Sequence, residues 1–277
     1  MSERSPEEPK AQVIVDEQPT PRGDRPRLLV TNDDGIESEG IRRLGIALAR
    51  EYEVVIAAPA TDMSGSGTGI GRLDVQKGID LRRADVEGLE AYTVAGPPGL
   101  AVMAAALGAF GRSPDLVVSG INAGMNTGHS VIHSGTVGAV LTARTFGSQG
   151  LAVSLAYSDP WQWDTAVYGA TLATRWILSQ PRETVLNLNA PPVPVEEVRG
   201  ARWADLDSFG YFRVAIADLP NERLQFELKG SSGGVDPGSD TALCEENYLT
   251  LTPLSAIEPA PFPAIPADSI VPFPGKG

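Results

Sequence analysis

Arg27–Gly35 has the sequence R-L-L-V-T-N-D-D-G, and the fold prediction starts from it. Its first half, Leu28–Val30, is a short apolar run typical of a buried strand, and Asn32–Gly35 consists of residues that favour turns. Beyond Gly35, apolar residues recur at helical spacing: Ile41, Leu44, Ile46, Leu48 and Ala49. This order predicts a strand, a tight turn and a helix, with Asp33 and Asp34 in the turn.

The two adjacent aspartates, Asp33 and Asp34, are the first candidates for chemistry. Open α/β sheets bind their ligands beyond the carboxyl ends of the strands, which is where this turn lies. Neighbouring carboxylates repel each other, and a hard divalent cation is the usual means of keeping both ionised. The alternative is that Asp33 merely caps the helix and Asp34 is solvated.

Composition restricts the class of protein. The chain has 277 residues, 42% of them hydrophobic, and a formal net charge of -13 with a pI near 4.6. Its length suits one large α/β domain with an appendage. An acidic surface repels polyanions, so we expect no nucleic acid polymer as a partner, and a small phosphorylated ligand would need a cation to bind.

Cellular context follows from the cysteine count and the apolar runs. Cys244 is the only cysteine, which excludes an internal disulfide and a cysteine-built metal site, and it fits a cytoplasmic location. The polar, acidic N-terminus does not resemble a signal peptide. The longest mostly apolar run, Leu100–Phe110, is shorter than the roughly 18 residues that suggest a membrane span, so we expect no membrane partner.

Local patterns divide the chain into four segments. We expect a disordered leader at 1–26, an α/β core at 27–200, a β-rich extension at 201–257 and a Pro-rich tail at 258–277. Within the core, the predicted strands are 54–58, 115–119, 151–155 and 184–188, and the predicted helices are 100–110, 134 onward and 166–178. Strands that alternate with helices predict a mostly parallel sheet with flanking helices, followed by an antiparallel extension suited to self-association.

A glycine-rich loop, Thr61–Gly71, follows the second predicted strand. Its glycines permit close approach of backbone to a ligand, as in dinucleotide-binding loops. The spacing is G-x-G-x-G-x-G, however, and no acidic residue closes a later strand at the expected place. A dinucleotide site is therefore disfavoured.

The helix predicted from Ser134 begins with Ser134, Gly135 and Thr136. A helix N-terminus presents unpaired N–H groups and the positive end of the helix dipole, and neighbouring hydroxyls add donors, so this turn can bind an anion. Serine is also a common N-cap, so helix capping alone would explain it equally well.

Oxygen ligands follow three separate predicted strands: Asp33 and Asp34, then Ser64 in the glycine loop, then Asn122. The carboxyl ends of parallel strands lie along one edge of a sheet, so these oxygens can converge on one ion. Without histidine or cysteine, such a set suits Mg²⁺ or Mn²⁺ better than Zn²⁺. The pattern indicates phosphoester hydrolysis, in which a cation polarises a phosphoryl oxygen and water attacks the phosphorus.

Four ordered motifs resemble the signature blocks of the SurE family: N-D-D-G at 32–35, S-G at 64–65, S-G-I-N-A-G at 119–124 and H-S-G-T-V at 133–137. L-N-L-N-A-P at 186–191 and the segment 238–254 agree as well, so the resemblance covers about 27–257. It implies a Rossmann-like core, a β-rich extension exchanged between subunits, and a homodimer or homotetramer. It also implies metal-dependent 5′/3′-nucleotidase activity with acid phosphatase behaviour and some action on short polyphosphate.

The resemblance also implies roles for individual residues. Asp33, Asp34, Ser64 and Asn122 match the family's ligands for one divalent metal ion per subunit. The positions that match its phosphate contacts are Asn126, Ser134, Gly135 and Thr136. We hypothesise that Asp33 or Asp34 assists deprotonation of the attacking water while the other mainly holds the metal, and the sequence leaves open which does so.

The chain departs from the family pattern next to the presumed site. Gly96–Ala101 reads G-P-P-G-L-A where members commonly carry G-T-P and then a small residue, Asp and Cys, and His133 stands where a tyrosine is common. His129 and Ser130 replace common acidic residues. These changes leave open a phosphatase for another small phosphorylated metabolite, or a homologue that binds a nucleotide without cleaving it.

Other polar and aromatic candidates favour structural roles. His129 and His133 are the only histidines and precede the predicted helix, which disfavours a zinc site and leaves a general acid role open for His133. Trp161 and Trp163 are more typical of an exposed loop or a subunit contact than of a nucleobase platform. We expect three further carboxylates to lie in turns or at the surface: Asp205, Asp207 and Asp240.

Overall fold

The computed structural model describes residues 25–74, 76–208, 213–217, 225–229 and 235–255, with backbone alone at 213–217 and 225–229. The predicted leader, apart from Arg25 and Pro26, and the predicted Pro-rich tail lie outside these residues. Within the described ranges, no helix combines the length and the apolar character needed to cross a membrane.

Strands and helices alternate between residues 27 and 190, as the apolar pattern predicts, apart from three consecutive strands between residues 53 and 94. The strands are β1 Arg27–Thr31, β2 Glu53–Pro59, β3 Leu81–Val86, β4 Leu89–Val94, β5 Leu116–Ala123, β6 Gln149–Leu155, β7 Val185–Ala190, β8 Ala201–Trp203, β9 Arg213–Ala217, β10 Gln225–Lys229 and β11 Leu249–Pro253. The helices are α1 Glu39–Ala49, α2 Pro98–Ala106, α3 Gly135–Thr145, α4 Trp163–Ile177 and α5 Asp240–Glu245. Short 3-10 helices occupy Gly128–His133 and Val195–Glu197.

Nine of the described strands form one sheet in the order β3-β4-β2-β1-β5-β6-β7-β11-β8. The central pairs, from β4 to β7, are all parallel, and β3 and β11 join as antiparallel neighbours of β4 and β7. β9 and β10 form a separate antiparallel pair. The predicted fold class, a mostly parallel sheet with flanking helices and antiparallel β-structure toward the C-terminus, is confirmed.

Helices cover both faces of the sheet. Along β1, Leu28 and Val30 join the hydrophobic cluster that contains residues of α1 and α4, whereas Leu29 joins the cluster of α2 and α3. Successive strand residues point to opposite faces, so the continuous apolar run of β1 is buried on both sides. The strands are thereby held rigidly, and their carboxyl ends form one fixed edge.

Two predicted helices differ from the structure at their ends. Instead of Leu100–Phe110, α2 spans Pro98–Ala106, because proline is well suited to the first helical turn and Gly108 takes a positive φ of 87° that ends the helix. Helix α4 begins at Trp163, three residues before the predicted Ala166.

The strand predicted at 115–119 is longer than expected. β5 continues through Gly120 and Ile121 to Ala123, so Asn122 lies within the strand and not after it. Ile121 is fully buried in the core, and the pairing with β6 shifts register between Ser119 and Asn122. Turn-type residues led the sequence prediction to end the strand too early. In the folded chain, burial of Ile121 favours continuation of β5.

Beyond residue 200 the sequence analysis missed β8 and α5. β8 pairs in parallel with β11, so both belong to the main sheet. Helix α5 begins at Asp240 with Ser239 as its N-cap. Asp207 and Asp240 are 3% and 0% exposed, so the expectation that they lie in turns or at the surface is wrong, and Asp205 alone of the three is exposed.

Candidate metal and phosphate site

The turn after β1 is organised by Asn32, whose buried side chain binds the turn from inside. Asn32 Oδ1 accepts the N–H of Gly35 at 3.2 Å, while Nδ2 donates to the Gly35 carbonyl at 3.0 Å and to Ser38 Oγ at 2.6 Å. Gly35 has a φ of 101°, a conformation that favours glycine. Helix α1 begins only at Glu39, with Ser38 in the cap position, so the alternative that Asp33 caps this helix is wrong.

Asp33 is almost completely buried, at 3% exposure. Its Oδ1 accepts a hydrogen bond of 2.5 Å from Thr136 Oγ1 in the first turn of α3. Burial raises the pKa of Asp33 above its ordinary value, and the Thr136 hydroxyl and the backbone N–H groups of Gly135 and Thr136 partly offset that rise. The turn after β1 is therefore bound directly to the N-terminus of α3.

Asp34 is half-buried beside Asp33, and its Oδ2 is shielded from solvent and has no hydrogen-bond partner among the described residues. Desolvation raises the pKa of Asp34 to about 6, with further contributions from the negative charges of Asp33 and Asp62. The backbone N–H of Ala123, at the end of β5, acts in the opposite direction. Asp34, in the turn after β1, thus lies near the glycine loop and the end of β5.

Two backbone hydrogen bonds hold the glycine loop close to these aspartates. The N–H of Met63 donates to the Asp33 carbonyl at 2.7 Å, and the N–H of Gly67 donates to the His133 carbonyl at 3.1 Å. A Cβ on Gly138 of α3 would lie 1.9 Å from the Gly67 carbonyl oxygen, so two glycines permit the loop to lie directly against the helix. Ser64 is placed between these two attachments.

Asn122 approaches the same edge from β5, the neighbour of β1 in the sheet. Its Nδ2 donates to the Gly124 carbonyl at 2.7 Å, which fixes the orientation of the amide and leaves Oδ1 available as an acceptor. The structure therefore positions the predicted oxygen donors around the ends of β1, β2 and β5.

The first turn of α3 is occupied by groups with different capacities. Ser134 Oγ accepts the N–H of Val137 at 3.1 Å as the N-cap, which leaves its own hydroxyl proton free to be donated. Thr136 donates its hydroxyl proton to Asp33, and the backbone N–H groups of Gly135 and Thr136 also act on that carboxylate, so the Ser134 hydroxyl proton is the one left for an anion. Capping and anion binding are therefore compatible at Ser134.

Ser66, which the sequence analysis overlooked, faces the same turn. A Cβ on Gly135 would lie 2.6 Å from Ser66 Oγ and 2.7 Å from Asp33 Oδ2, so only a glycine leaves room there. Ser66 Oγ is shielded from solvent and has no hydrogen-bond partner among the residues that the structure describes. Its position in the S-G-S-G run was the available signal.

Asn126 is held by buried side chains of β6 and β7. Its carbonyl accepts from Asn187 Nδ2 at 2.8 Å and from Asn189 Nδ2 at 2.9 Å. Its N–H donates to Asn189 Oδ1 and its Nδ2 to Ser154 Oγ, both at 2.9 Å. The L-N-L-N motif of β7 thus fixes the loop that carries Asn126, a role visible only once β7 is placed near that loop.

The chain is similar to known proteins in sequence and in fold. The family model described as Survival protein SurE matches residues 28–211, which is more than half of the chain. The chain belongs to the SurE family. The resemblance suggested by its motifs is thereby confirmed.

Relatives within the SurE family match most of their own length. The chain is 33% identical to 5′-nucleotidase SurE from Thermosipho africanus over 82% of this chain and 91% of the relative. It is 35% identical to 5′-nucleotidase SurE from Chloroflexus aggregans over 82% and 92%. The crystal structure of the SurE protein from Aquifex aeolicus superposes with a TM-score of 0.71 at 28% identity, over 83% of this chain and 93% of that one.

The two histidines of this SurE chain lie in the 3-10 helix Gly128–His133, before α3, and both are exposed. Among the residues that the structure describes, no group of three or more His, Cys, Asp or Glu side chains could hold a metal ion by itself. Trp161 and Trp163 stack on each other at 5.3 Å between ring centroids and pack against the core, with Trp163 inside α4. The expectation that the pair lies in an exposed loop is therefore wrong for Trp163.

A divalent cation fits the donor set of this SurE site. Two carboxylates of like charge lie side by side, and within the described ranges Asp34 Oδ2 lacks the hydrogen-bonding neighbour that a buried carboxylate oxygen requires. The remaining candidates, Ser64 Oγ and Asn122 Oδ1, are neutral oxygens. All four are oxygen donors, the chemistry that Mg²⁺ and Mn²⁺ prefer.

Proposed function

We propose that the protein is a metal-dependent phosphomonoesterase that hydrolyses nucleoside 5′- and 3′-monophosphates to nucleoside and phosphate. The observation that carries this proposal is the hydrogen bond between Thr136 and Asp33. It joins a paired-carboxylate turn to a helix N-terminus, so a cation and a phosphate can bind next to each other. The names of the relatives, 5′-nucleotidase SurE, support the same reaction class.

The proposed cofactor is one Mg²⁺ or Mn²⁺ ion per subunit, held by Asp33, Asp34, Ser64 and Asn122. When bound, it would polarise a phosphoryl oxygen and neutralise charge on the phosphate. Asp33 is positioned for this role by Thr136, and Asn122 by the Gly124 carbonyl. The ligands are thereby oriented by protein hydrogen bonds before a cation binds.

The phosphate is proposed to bind at the first turn of α3. Ser134 would donate its hydroxyl proton, and Gly135 and Thr136 would contact the phosphate through the backbone N–H groups that they also direct toward Asp33. Asn126, fixed by Asn187 and Asn189, would contact the phosphate from the opposite loop. This set orients the phosphorus toward the two aspartates.

The attacking water has to lose a proton to one of these carboxylates. Asp33 already accepts a hydrogen bond from Thr136, whereas Asp34 Oδ2 has no partner within the part of the chain that the structure describes. We therefore assign the accepting role to Asp34 and the mainly positioning role to Asp33. The departing nucleoside oxygen takes up a proton from solvent or from His133, which is exposed near the start of α3.

The second candidate function differs from the first in its substrate. A Cβ on Gly99, in the altered Gly96–Ala101 block, would lie 2.8 Å from the Gly69 carbonyl oxygen, so this block packs directly beneath the glycine loop. A change there can reshape the site, which favours another small phosphorylated metabolite as the alternative substrate. A non-catalytic nucleotide-binding homologue is the other alternative. Cytoplasmic location and a homodimer or homotetramer are further parts of the proposal.

The deciding experiment measures phosphate release from nucleoside 5′- and 3′-monophosphates, sugar phosphates and short polyphosphate, each with EDTA, Mg²⁺ or Mn²⁺. We expect release from nucleoside monophosphates only with added metal, and a loss of about 100-fold or more in Asp34→Asn, because the proton acceptor is removed. Preferred release from sugar phosphates would support the second candidate. Tight nucleotide binding without release from any substrate would overturn both catalytic proposals.

A further inference from the structure

Asp62, the second residue of the glycine loop, accepts two hydrogen bonds from the proposed metal ligand Ser64 at one of its oxygens. Asp62 Oδ1 accepts the backbone N–H of Ser64 at 2.7 Å and the Ser64 hydroxyl at 2.6 Å. Both residues are exposed, so burial does not fix the Ser64 rotamer. The carboxylate of Asp62 is what defines the direction of the Ser64 hydroxyl.

The direction of that hydroxyl matters for cation binding. A serine hydroxyl carries one proton and two lone pairs, and a hydroxyl that points its proton at a cation is repelled by it. Because Asp62 takes the proton, the lone pairs of Ser64 Oγ are left for a ligand. Asp62 also adds a negative charge close enough to Asp34 to be felt by that carboxylate.

We propose that Asp62 is a positioning residue that orients the Ser64 hydroxyl and so raises the affinity of the site for a divalent cation. This inference rests on the proposed function, in which Ser64 is a metal ligand. Residues that orient metal ligands typically contribute about 10- to 100-fold in metal affinity.

Asp74, three residues beyond the end of the glycine loop, provides a matched control. Its Oδ1 accepts the backbone N–H groups of Gln76 at 3.0 Å and Lys77 at 3.1 Å, so Asp74 makes a similar local turn without binding a hydroxyl. Asp74→Ala removes a comparable turn and one negative charge from the segment that follows the loop. A role of Asp62 in local turn structure alone would give Asp62→Ala and Asp74→Ala similar effects, whereas an effect of its charge alone would give Asp62→Asn and Asp62→Ala similar effects.

The test measures Mn²⁺ binding to the substrate-free full chain by electron paramagnetic resonance, so that turnover plays no part. The single variants are Asp62→Asn, Asp62→Ala, Asp74→Ala and Ser64→Ala. Asp62→Asn and Asp62→Ala are also combined with Ser64→Ala. Asp62→Asn removes the charge but keeps an acceptor oxygen, whereas Asp62→Ala removes both. Thermal unfolding of each variant checks that the fold is intact.

We expect Asp62→Ala to weaken Mn²⁺ binding about 10-fold or more and Asp74→Ala to leave it within about two-fold. Asp62→Ala should bind Mn²⁺ more weakly than Asp62→Asn, and this difference should vanish in the Ser64→Ala background, because the acceptor acts only through the hydroxyl. Equal binding by Asp62→Ala and the parent protein, or a difference that persists without the Ser64 hydroxyl, would overturn the inference.

The design separates this inference from the proposed function. If Ser64→Ala binds Mn²⁺ as tightly as the parent protein, Ser64 is not a ligand and the proposed metal site is wrong. If Ser64→Ala weakens binding but Asp62→Ala does not, the metal site stands and only the role of Asp62 is wrong.

Discussion

At the scale of single residues, the site depends on how buried carboxylates are stabilised. Asp33 is 3% exposed and Thr136 is fully buried, so the hydrogen bond between them is shielded from water. A hydrogen bond to a charged group contributes more than one between neutral groups. Thr136 therefore offsets part of the cost of burying Asp33.

Thr136→Val is expected to lower the free energy of unfolding by about 1.5–3 kcal/mol, because Asp33 loses its side-chain donor. Thr142→Val is the matched control, since Thr142 Oγ1 donates to the neutral Gly138 carbonyl in the same helix, where the expected cost is about 0.5–1.5 kcal/mol. Urea unfolding at neutral pH, without added metal, measures both. Equal losses would mean that the charge of Asp33 does not strengthen the bond.

At the scale of elements, close contact between α3 and the two loops above it defines the site. Gly135 faces Asp33 and Ser66, and Gly138 faces the backbone of Gly67. A side chain at either glycine would separate the helix from the glycine loop. The N-terminus of α3 can thus approach the aspartates only because these positions lack a Cβ.

Gly135→Ala is expected to reduce metal-dependent phosphate release about 100-fold, since displacements of about 1 Å at a reacting centre have effects of that size. Gly45→Ala is its control, because the nearest atom there is Ile56 Cδ1 at 2.7 Å, the end of a flexible side chain that can move. That variant should keep its activity and gain some helix propensity. Steady-state kinetics of both variants, with circular dichroism to verify folding, provides the measurement, and an active Gly135→Ala would refute the contact argument.

At the scale of the whole molecule, Asp240 joins segments far apart in the chain. It is fully buried and accepts the N–H groups of Gly128 at 3.0 Å, Asp207 at 3.0 Å and Thr241 at 2.9 Å. The start of α5 is thereby tied to the loop that leads into α3. Burial raises the pKa of Asp240, and these backbone donors lower it only in part.

The raised pKa of Asp240 predicts a pH dependence of stability. Where the folded pKa exceeds the unfolded value, the folded state binds more protons, so the Asp240 contribution to stability falls as pH rises above about 3.8. The difference in unfolding free energy between the parent protein and Asp240→Asn should therefore be smaller at about pH 7 than at about pH 4.5, as urea unfolding can show.

Asp236→Asn provides the opposite control. Ser208 lowers the pKa of Asp236, so this group contributes stability above the unfolded pKa and loses it as pH falls through the lowered folded pKa. The corresponding difference for Asp236→Asn should not decrease as pH rises. A difference for Asp240→Asn that increases with pH would contradict the assigned direction.

The sequence alone was sufficient for the core of the fold and for the family. Apolar runs of strand length alternate with helical periodicity from β1 to β7. Both signals are local, so they can be recognised in the sequence without knowledge of tertiary contacts. Turn residues after β1 identified Asp33 and Asp34, and the ordered motifs identified the SurE family. Ser134 was correctly placed at the start of α3 because capping is also a local preference.

Tertiary structure decided what depends on distant neighbours. Asn122 belongs to β5 because Ile121 is buried in the core. Asp240 is buried because its carboxylate accepts three backbone N–H groups, two from distant residues and one from the adjacent residue. Asn187 donates a hydrogen bond to Asn126 across 61 positions of the chain, and Thr136 donates one to Asp33 across 103 positions. Periodicity and turn preferences act over a few residues, whereas burial and hydrogen bonding across the sheet are set only when the chain is folded.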